Sequence, residues 1–207
     1  MTGANVLACM SFQATLINHH QDAVSLIDGA QQRVRRNATP RLMALLASRK
    51  ARAYAKAGDV VACGQALADA ERSLEAATTD AIEPDWLYYF DDAELAAQAG
   101  ACWVDLRQPV RARPLIDDAL ARISPNYVRD RAIYHIRSAE TYLYGKELEP
   151  ACQELHTAVD LVHQSGSVRA LETIRIARLS MSPYDHETLV QELDDQLHDL
   201  GAQIQSL

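Results

Sequence analysis

The sequence predicts an all-α fold of stacked helical hairpins, and three observations carry that prediction. Four times a small residue is followed at +4 by a branched apolar residue and at +7 by alanine: Ala23-Ile27-Ala30, Cys63-Leu67-Ala70, Ala112-Ile116-Ala119 and Ala151-Leu155-Ala158. These offsets put three side chains on one helical stripe, and their small size lets a second helix approach closely. Upstream of each copy a small residue stands three positions before another packing residue, marking a partner helix: Ser11 with Ala14, Ala51 with Tyr54, Gly100 with Trp103, Ala139 with Tyr142. The 207 residues are 48% hydrophobic with only eight glycines, and no stretch alternates with the period of a strand. A chain of this length buries a sizeable core, so a single domain over 1–207 is expected.

Four repeats are expected, at about 4–37, 41–77, 85–123 and 126–165. The first is the least regular, with Val6, Leu7, Met10 and Phe12 crowding an opening helix that has no cap before it. In an open stack that edge would be wet and apolar, so a longer protein or a second copy is expected to cover it. In the second repeat, Thr39-Pro40 opens a helix and Gly58-Asp59 closes one and starts another, giving helices over 41–57 and 60–77. Thr78 to Pro84 reads as a loop and accounts for the unequal intervals between the +7 alanines, which are 40, 49 and 39 residues. Asn126 is placed to cap a helix over 127–144. Gly166-Ser167 and Ser182-Pro183 then punctuate helices over 168–181 and 186–200, a terminal capping pair within 167–200 whose outer face should be polar.

The small-x-x-aromatic and Ala-x3-apolar-x2-Ala patterns together resemble the tetratricopeptide repeat (TPR), most fully in the third copy, where Gly100, Trp103, Ala112, Ala119 and Pro125 fall at its offsets. The resemblance implies a right-handed superhelical solenoid of about four hairpins plus C-terminal capping helices. The segments YYFDDAELAAQAGACWVDL (88–106), SPNYVRDRAIYHIRSAETYL (124–143), GSVRALETIRIARLSMSPYD (166–185) and LVQELDDQL (189–197) further resemble the C-terminal sensor region of actinobacterial Xre-type helix-turn-helix transcriptional regulators. In that group a DNA-binding helix-turn-helix precedes helical repeats thought to sense a ligand or partner. These residues carry no counterpart of the DNA-binding part, so operator binding is not carried over.

Charge agrees. With 20 basic and 28 acidic residues the net charge is −8, the wrong sign for nonspecific binding to phosphate backbones, so no direct nucleic-acid binding is expected. The charge is uneven, +2 over residues 1–80 and −10 over the rest. Arg33, Arg35, Arg36 and Arg41 cluster at one helix junction, which reads as a solvated helix end. No secretory leader or membrane-length apolar run is recognisable, and Cys9, Cys63, Cys102 and Cys152 are far apart with no Cys-x-x-Cys pair, so they read as packing residues of a reducing cytoplasm. Cys63 takes the position that alanine holds in the other three copies.

Catalytic motifs are not found: no glycine-rich phosphate loop, no His-Glu-x-x-His, no Gly-x-Ser-x-Gly. The seven histidines, including His19-His20, His156 with His163, and His186, lack a third ligand at a fixed spacing, so neither metal nor cofactor is expected. Two segments carry more chemistry. Trp86 to Phe90 holds four aromatic residues and is either a packing plug or the stacking wall of a ligand groove. Asp130, Tyr134, Arg137 and Thr141 form a polar stripe that is either a salt-bridged solvated face or a recognition surface.

In tetratricopeptide arrays the first helix of each hairpin lines a concave groove where peptides bind. Carried over, this implies a partner groove of Asn5, Phe12, Ser48, Arg52, Glu94, Gln98, Tyr134, Arg137, Glu140 and Tyr144. The set mixes basic, acidic and aromatic character and lacks the uniform Lys/Asn clamp that grips a C-terminal carboxylate. The function expected is a protein-, peptide- or small-ligand-binding module, the regulatory part of a transcriptional regulator, forming a homodimer or part of a longer chain and working in the cytoplasm without membrane contact. The alternatives are a recruited helical-repeat enzyme using Tyr134, Arg137, Glu140, Asp91 and Glu94 for acid-base chemistry, or a plain oligomerisation scaffold.

Overall fold

A computed structural model describes residues 2–78 and 81–205, and the described residues form ten α-helices with no strand. They are α1 (Thr2–Leu16), α2 (His20–Val34), α3 (Pro40–Ala57), α4 (Val60–Glu75), α5 (Asp92–Asp105), α6 (Pro109–Arg122), α7 (Val128–Tyr144), α8 (Leu148–Ser165), α9 (Val168–Leu179) and α10 (Thr188–Gln205). The all-α class is therefore observed. No helix among the described residues is long and apolar enough to cross a membrane. Thr79 and Asp80, part of the expected loop, lie outside the described residues.

The helix ends follow local chemistry. Thr39 Oγ1 accepts from the Leu42 amide at the start of α3, with Pro40 supplying the fixed φ of the first turn. At the other end Gly58 takes φ +79°, a conformation a Cβ would penalise, and the amides of Gly58 and Asp59 return to the carbonyls of Ala55 and Tyr54. Asp59 Oδ1 then caps α4 through the Ala62 amide, and Ser167 Oγ caps α9 through the Ala170 amide. One expectation fails here. The N-cap of α7 is Tyr127 rather than Asn126, without a side-chain bond, and the Asn126 amide instead meets Ser124 Oγ at 3.4 Å.

All twelve residues of the repeated motif are buried, none more than 4% exposed, and they fall on α2, α4, α6 and α8. Alanine or cysteine at the first and third positions brings the neighbouring backbone close, and the central Ile or Leu fills what space remains.

The chain forms two compact units, Met1–Leu106 and Arg107–Leu207. The boundary passes through the segment read as the third repeat, 85–123, leaving α5 in the first unit and α6 in the second. Within the first unit α1 pairs with α2, α3 with α4, and α3 also packs on α1, α2 and α5. Its core joins Ile27, Leu42, Leu45 and Leu46 to Leu87 and Phe90. Within the second unit α7 pairs with α8, α6 lies on α7, and α8 and α9 pack with α10. Ile136, Leu155, Ile174, Met181 and Leu193 form that core.

Arg178 ties the last two helices together, with Nε and Nη2 donating to the two carboxylate oxygens of Asp194 at 2.7 and 2.6 Å and Nη2 also 2.8 Å from Asp185. Of the terminal pair, α10 turns a polar face outward, with Gln191, Glu192, Asp194, Asp195, Gln196, His198 and Asp199 exposed and Val190, Leu193, Leu197 and Leu200 buried. Helix α9 buries Ala170, Leu171, Ile174 and Ala177 on one side and leaves Val168, Ile176 and Leu179 exposed on the other.

The aromatic segment resolves by residue. Leu87 and Phe90 are fully buried in the first unit's core, Trp86 packs at its edge, and Tyr88 and Tyr89 face outward. Glu83, just before this segment, accepts from Thr39 Oγ1 at 2.5 Å, and Arg41 donates to the Phe90 carbonyl. Leu87 and Phe90 therefore act as the plug, held in place from the start of α3.

Candidate functional site

Helix α1 contains no charged residue in TGANVLACMSFQATL. Its inner face buries Ala4, Ala8, Ser11, Ala14 and Thr15. Ser11 Oγ donates to the Ala23 carbonyl on α2 at 2.9 Å, so even the polar groups of that face are used in packing. A helix apolar on its outer side as well has more to bury than one neighbour supplies. Val6 and Met10 are 53% and 50% exposed, and with Asn5, Cys9, Gln13, Ile17 and Leu26 they line a groove of about 570 Å³ between α1 and α2, with Asp22 as its one charged residue. The apolar edge expected at the opening helix is thus real for Val6 and Met10, whereas Leu7 and Phe12 are drawn partly inward. Cys9 differs from the packing role expected of it. It is exposed in the groove, its thiol 3.6 Å from Asn5 Oδ1.

The other expected groove residues of the first unit are mostly engaged. The Arg49 guanidinium lies 4.9 Å from the centre of the Phe12 ring. Ser48 is fully buried and donates to the Leu45 carbonyl of its own helix. Gln98 donates to Glu94 Oε1 at 2.8 Å, one turn apart on α5. Asp91, needed by the enzymatic alternative, accepts from the Glu94 amide as the α5 cap.

Arg52 is only 6% exposed. Its Nη1 stands 2.6 Å from Asp105 Oδ2 as an ion pair, out of line for a hydrogen bond, while Lys56 Nζ lies 2.9 Å from the other oxygen. Asp105 ends α5, where the helix macrodipole disfavours a carboxylate, so the two cations of α3 justify its place. Sequence spacing links Arg52 to Lys56 one turn on, but nothing in it pairs them with a carboxylate 49 residues beyond Lys56.

No protein-family model and no curated protein matches this chain.

In the second unit α7 carries Tyr134, Arg137, Glu140 and Tyr144. Arg137 Nη1 donates to Glu140 Oε2 at 2.8 Å with both side chains largely buried, Tyr134 is buried, and Tyr144 is half-exposed with the Arg107 guanidinium 5.9 Å from its ring centre. Thr141 turns its hydroxyl back to the Arg137 carbonyl. The polar stripe is therefore internally satisfied, and any ligand there would have to displace existing bonds.

The opposite side of α7 holds a cluster the sequence did not single out. His135 Nδ1 is 2.7 Å from Glu154 Oε2 on α8, and Arg113 on α6 reaches Glu147 at 2.5 Å with its guanidinium over the Tyr142 ring. Among the described residues no three His, Cys, Asp or Glu side chains are grouped to hold a metal ion.

Nearby Asp117 on α6 has its carboxyl raised above the ordinary value by partial desolvation, reinforced by the negative Glu154 and opposed by Arg113. A carboxyl raised in the fold holds its proton more tightly there than in the unfolded chain. Its contribution favours folding below the ordinary carboxylate value and is lost as pH rises through the folded value. Asp117→Asn is accordingly expected to raise the melting temperature slightly at neutral pH, with the gain vanishing below the carboxylate range. An equal gain at both pH values in a thermal series would refute this account.

Proposed function

We propose that this chain is a tetratricopeptide-type helical-repeat module that binds protein, the regulatory part of an Xre-type transcriptional regulator working in the cytoplasm, and that its first unit takes a second copy of the chain as partner. The repeat reading is supported within each unit by hairpin pairs (α1 with α2, α3 with α4, α7 with α8) and by alternate helices in contact (α1 with α3, α3 with α5, α7 with α9). The observation that carries the binding role is the uncharged outer face of α1, with Val6 and Met10 exposed over an apolar groove. A net charge of −8 opposes association of like chains through most faces. Helix α1 is the stretch where two copies meet without that repulsion, in an isologous contact that lays each α1 along the other's groove.

Sedimentation velocity across a concentration series tests this. The wild-type chain is expected to sediment as a dimer, and Val6→Glu with Met10→Glu as a monomer of unchanged melting temperature, because both side chains are already half in solvent. A wild-type chain that stays monomeric at every concentration, or a double variant that stays dimeric, refutes self-association through this face. Native mass spectrometry of the same samples distinguishes a second copy from a retained peptide or small molecule, which would appear as added mass on a monomer.

A further inference from the structure

The α1/α2 face is charged at its two ends with opposite sign. Asp22, Leu26, Gly29 and Arg33 lie at offsets of 4, 7 and 11 residues along α2, which puts them on one helical stripe. Asp22 and Leu26 line the groove. Arg33 stands beyond its other end and leans over the first turn of α1, where a Cβ built on Gly3 would lie 3.3 Å from Arg33 Nε. Gly3 in turn heads the α1 stripe that continues through Val6, Met10, Gln13 and Ile17 at the same helical period. The two helices run antiparallel, since Gly3 meets Arg33 while Ser11 bonds to the Ala23 carbonyl. One end of the face is therefore acidic and the other basic, about 16 Å apart at the helical rise, with Val6, Met10 and Leu26 between.

Both end charges are accessible. The Asp22 side chain is 72% exposed and touches His19 Nδ1 at 3.3 Å, and Arg33 is exposed, with exposed Arg35 and Arg36 keeping its end basic. The remaining carboxylate of α2, Asp28, is turned to α3, where it accepts from Lys50 Nζ at 2.6 Å.

Resting on the self-association through α1 proposed above, we infer its direction: two copies meet with their α2 helices antiparallel, so that Asp22 of each pairs with Arg33 of the other on either side of an apolar centre of Val6, Met10 and Leu26. Two face-to-face arrangements have two-fold symmetry. With the axis along the helices, α1 of one copy covers α2 of the other, the two Asp22 ends adjoin and so do the two Arg33 ends. Like charges then oppose at both rims. With the axis across the helices, each α2 lies reversed over its counterpart, and both rims become complementary. That axis passes midway along the stripe, between Leu26 and Gly29. Gly29 is exposed there and a Cβ built on it would meet nothing within 4 Å, so no side chain holds the two α2 helices apart at the centre. The apolar centre supplies the affinity, and the exposed ion pairs select the direction.

The test uses Asp22→Arg and Arg33→Asp as two separate full-length chains, followed by sedimentation velocity and native mass spectrometry. Each variant alone makes both rims like-charged and is expected to self-associate about tenfold more weakly than the wild type, or worse. Mixed in equal amounts they are expected to form a mixed dimer, because one chain then presents arginine at both ends and the other aspartate. Both substitutions in one chain are expected to restore self-association, which separates pairing across the contact from any effect of the new charges on the ends of α2. Single variants that dimerise as strongly as a dimeric wild type, or a mixture that yields no mixed dimer, overturn the direction while leaving α1 as the interface. A wild-type chain that is monomeric at every concentration overturns the direction together with the self-association on which it rests.

Discussion

Phe90→Ala is expected to destabilise the first unit by about 3–5 kcal/mol, measured as a lowered urea midpoint with the slope unchanged. Phe90 is fully buried in a core that also contains Ile27, Leu42 and Leu45, and it is set there by a segment tied to the start of α3 through Thr39, Glu83 and Arg41. Alanine would remove most of a ring and leave a cavity, because the rigid helices around it close only in part. Tyr88→Ala supplies the control. Tyr88 is 73% exposed, so the change should stay within about 0.5 kcal/mol. Comparable effects from the two substitutions would mean that the aromatic segment is not a plug and that its outer ring carries structural weight.

Asp105→Asn is expected to cost about 3–5 kcal/mol, because it strips the counter-charge from a buried arginine while leaving shape almost unchanged. Arg52 is anchored on α3 with its guanidinium facing α5, where retreat to solvent would require unpacking the helix. Lys56 is more exposed and can swing its ammonium outward, so Arg52 bears most of the penalty. The pair is better described as an electrostatic solution to a burial problem than as a source of net stability. Replacing both partners by apolar residues, Arg52→Met with Asp105→Leu, should recover most of the loss. If Asp105→Asn unfolds within about 0.5 kcal/mol of the wild type, Arg52 is hydrated in solution and the ion pair is dispensable. The same geometry changes what Arg52→Ala can report: a weakened partner would coincide with a weakened fold, so this substitution cannot by itself separate a binding role from a structural one.

How much was legible follows from the range of each interaction. Helix starts and stops at Thr39, Gly58, Asp59, Gly166 and Ser167 depend on bonds within four residues, and they lie where the sequence places them. Where the local signal was weak the placement slipped, as at Asn126, whose side chain does not form the α7 cap. The twelve motif residues were also legible, since helical periodicity alone puts them on one stripe and small size alone lets that stripe face a neighbour.

The candidate sites were legible only in part. Asn5 lies in the α1/α2 groove, but Cys9, Gln13, Ile17 and Leu26 join it through packing of two helices that spacing along one cannot foresee. Ser48 looked available on its helical face and is buried, because that face is taken by a neighbour. The meeting of Arg52 with Asp105 spans 53 residues, beyond the reach of any local pattern.

The amino-acid order alone determined that the chain is helical, where most helices begin and end, and that the twelve motif residues face inward, because those properties rest on backbone bonding and on a 3.6-residue period. Only the tertiary structure decided which buried polar groups acquire partners and which apolar face of α1 is left uncovered. Those outcomes depend on which helix packs against which, and two helices with identical patterns can differ in both.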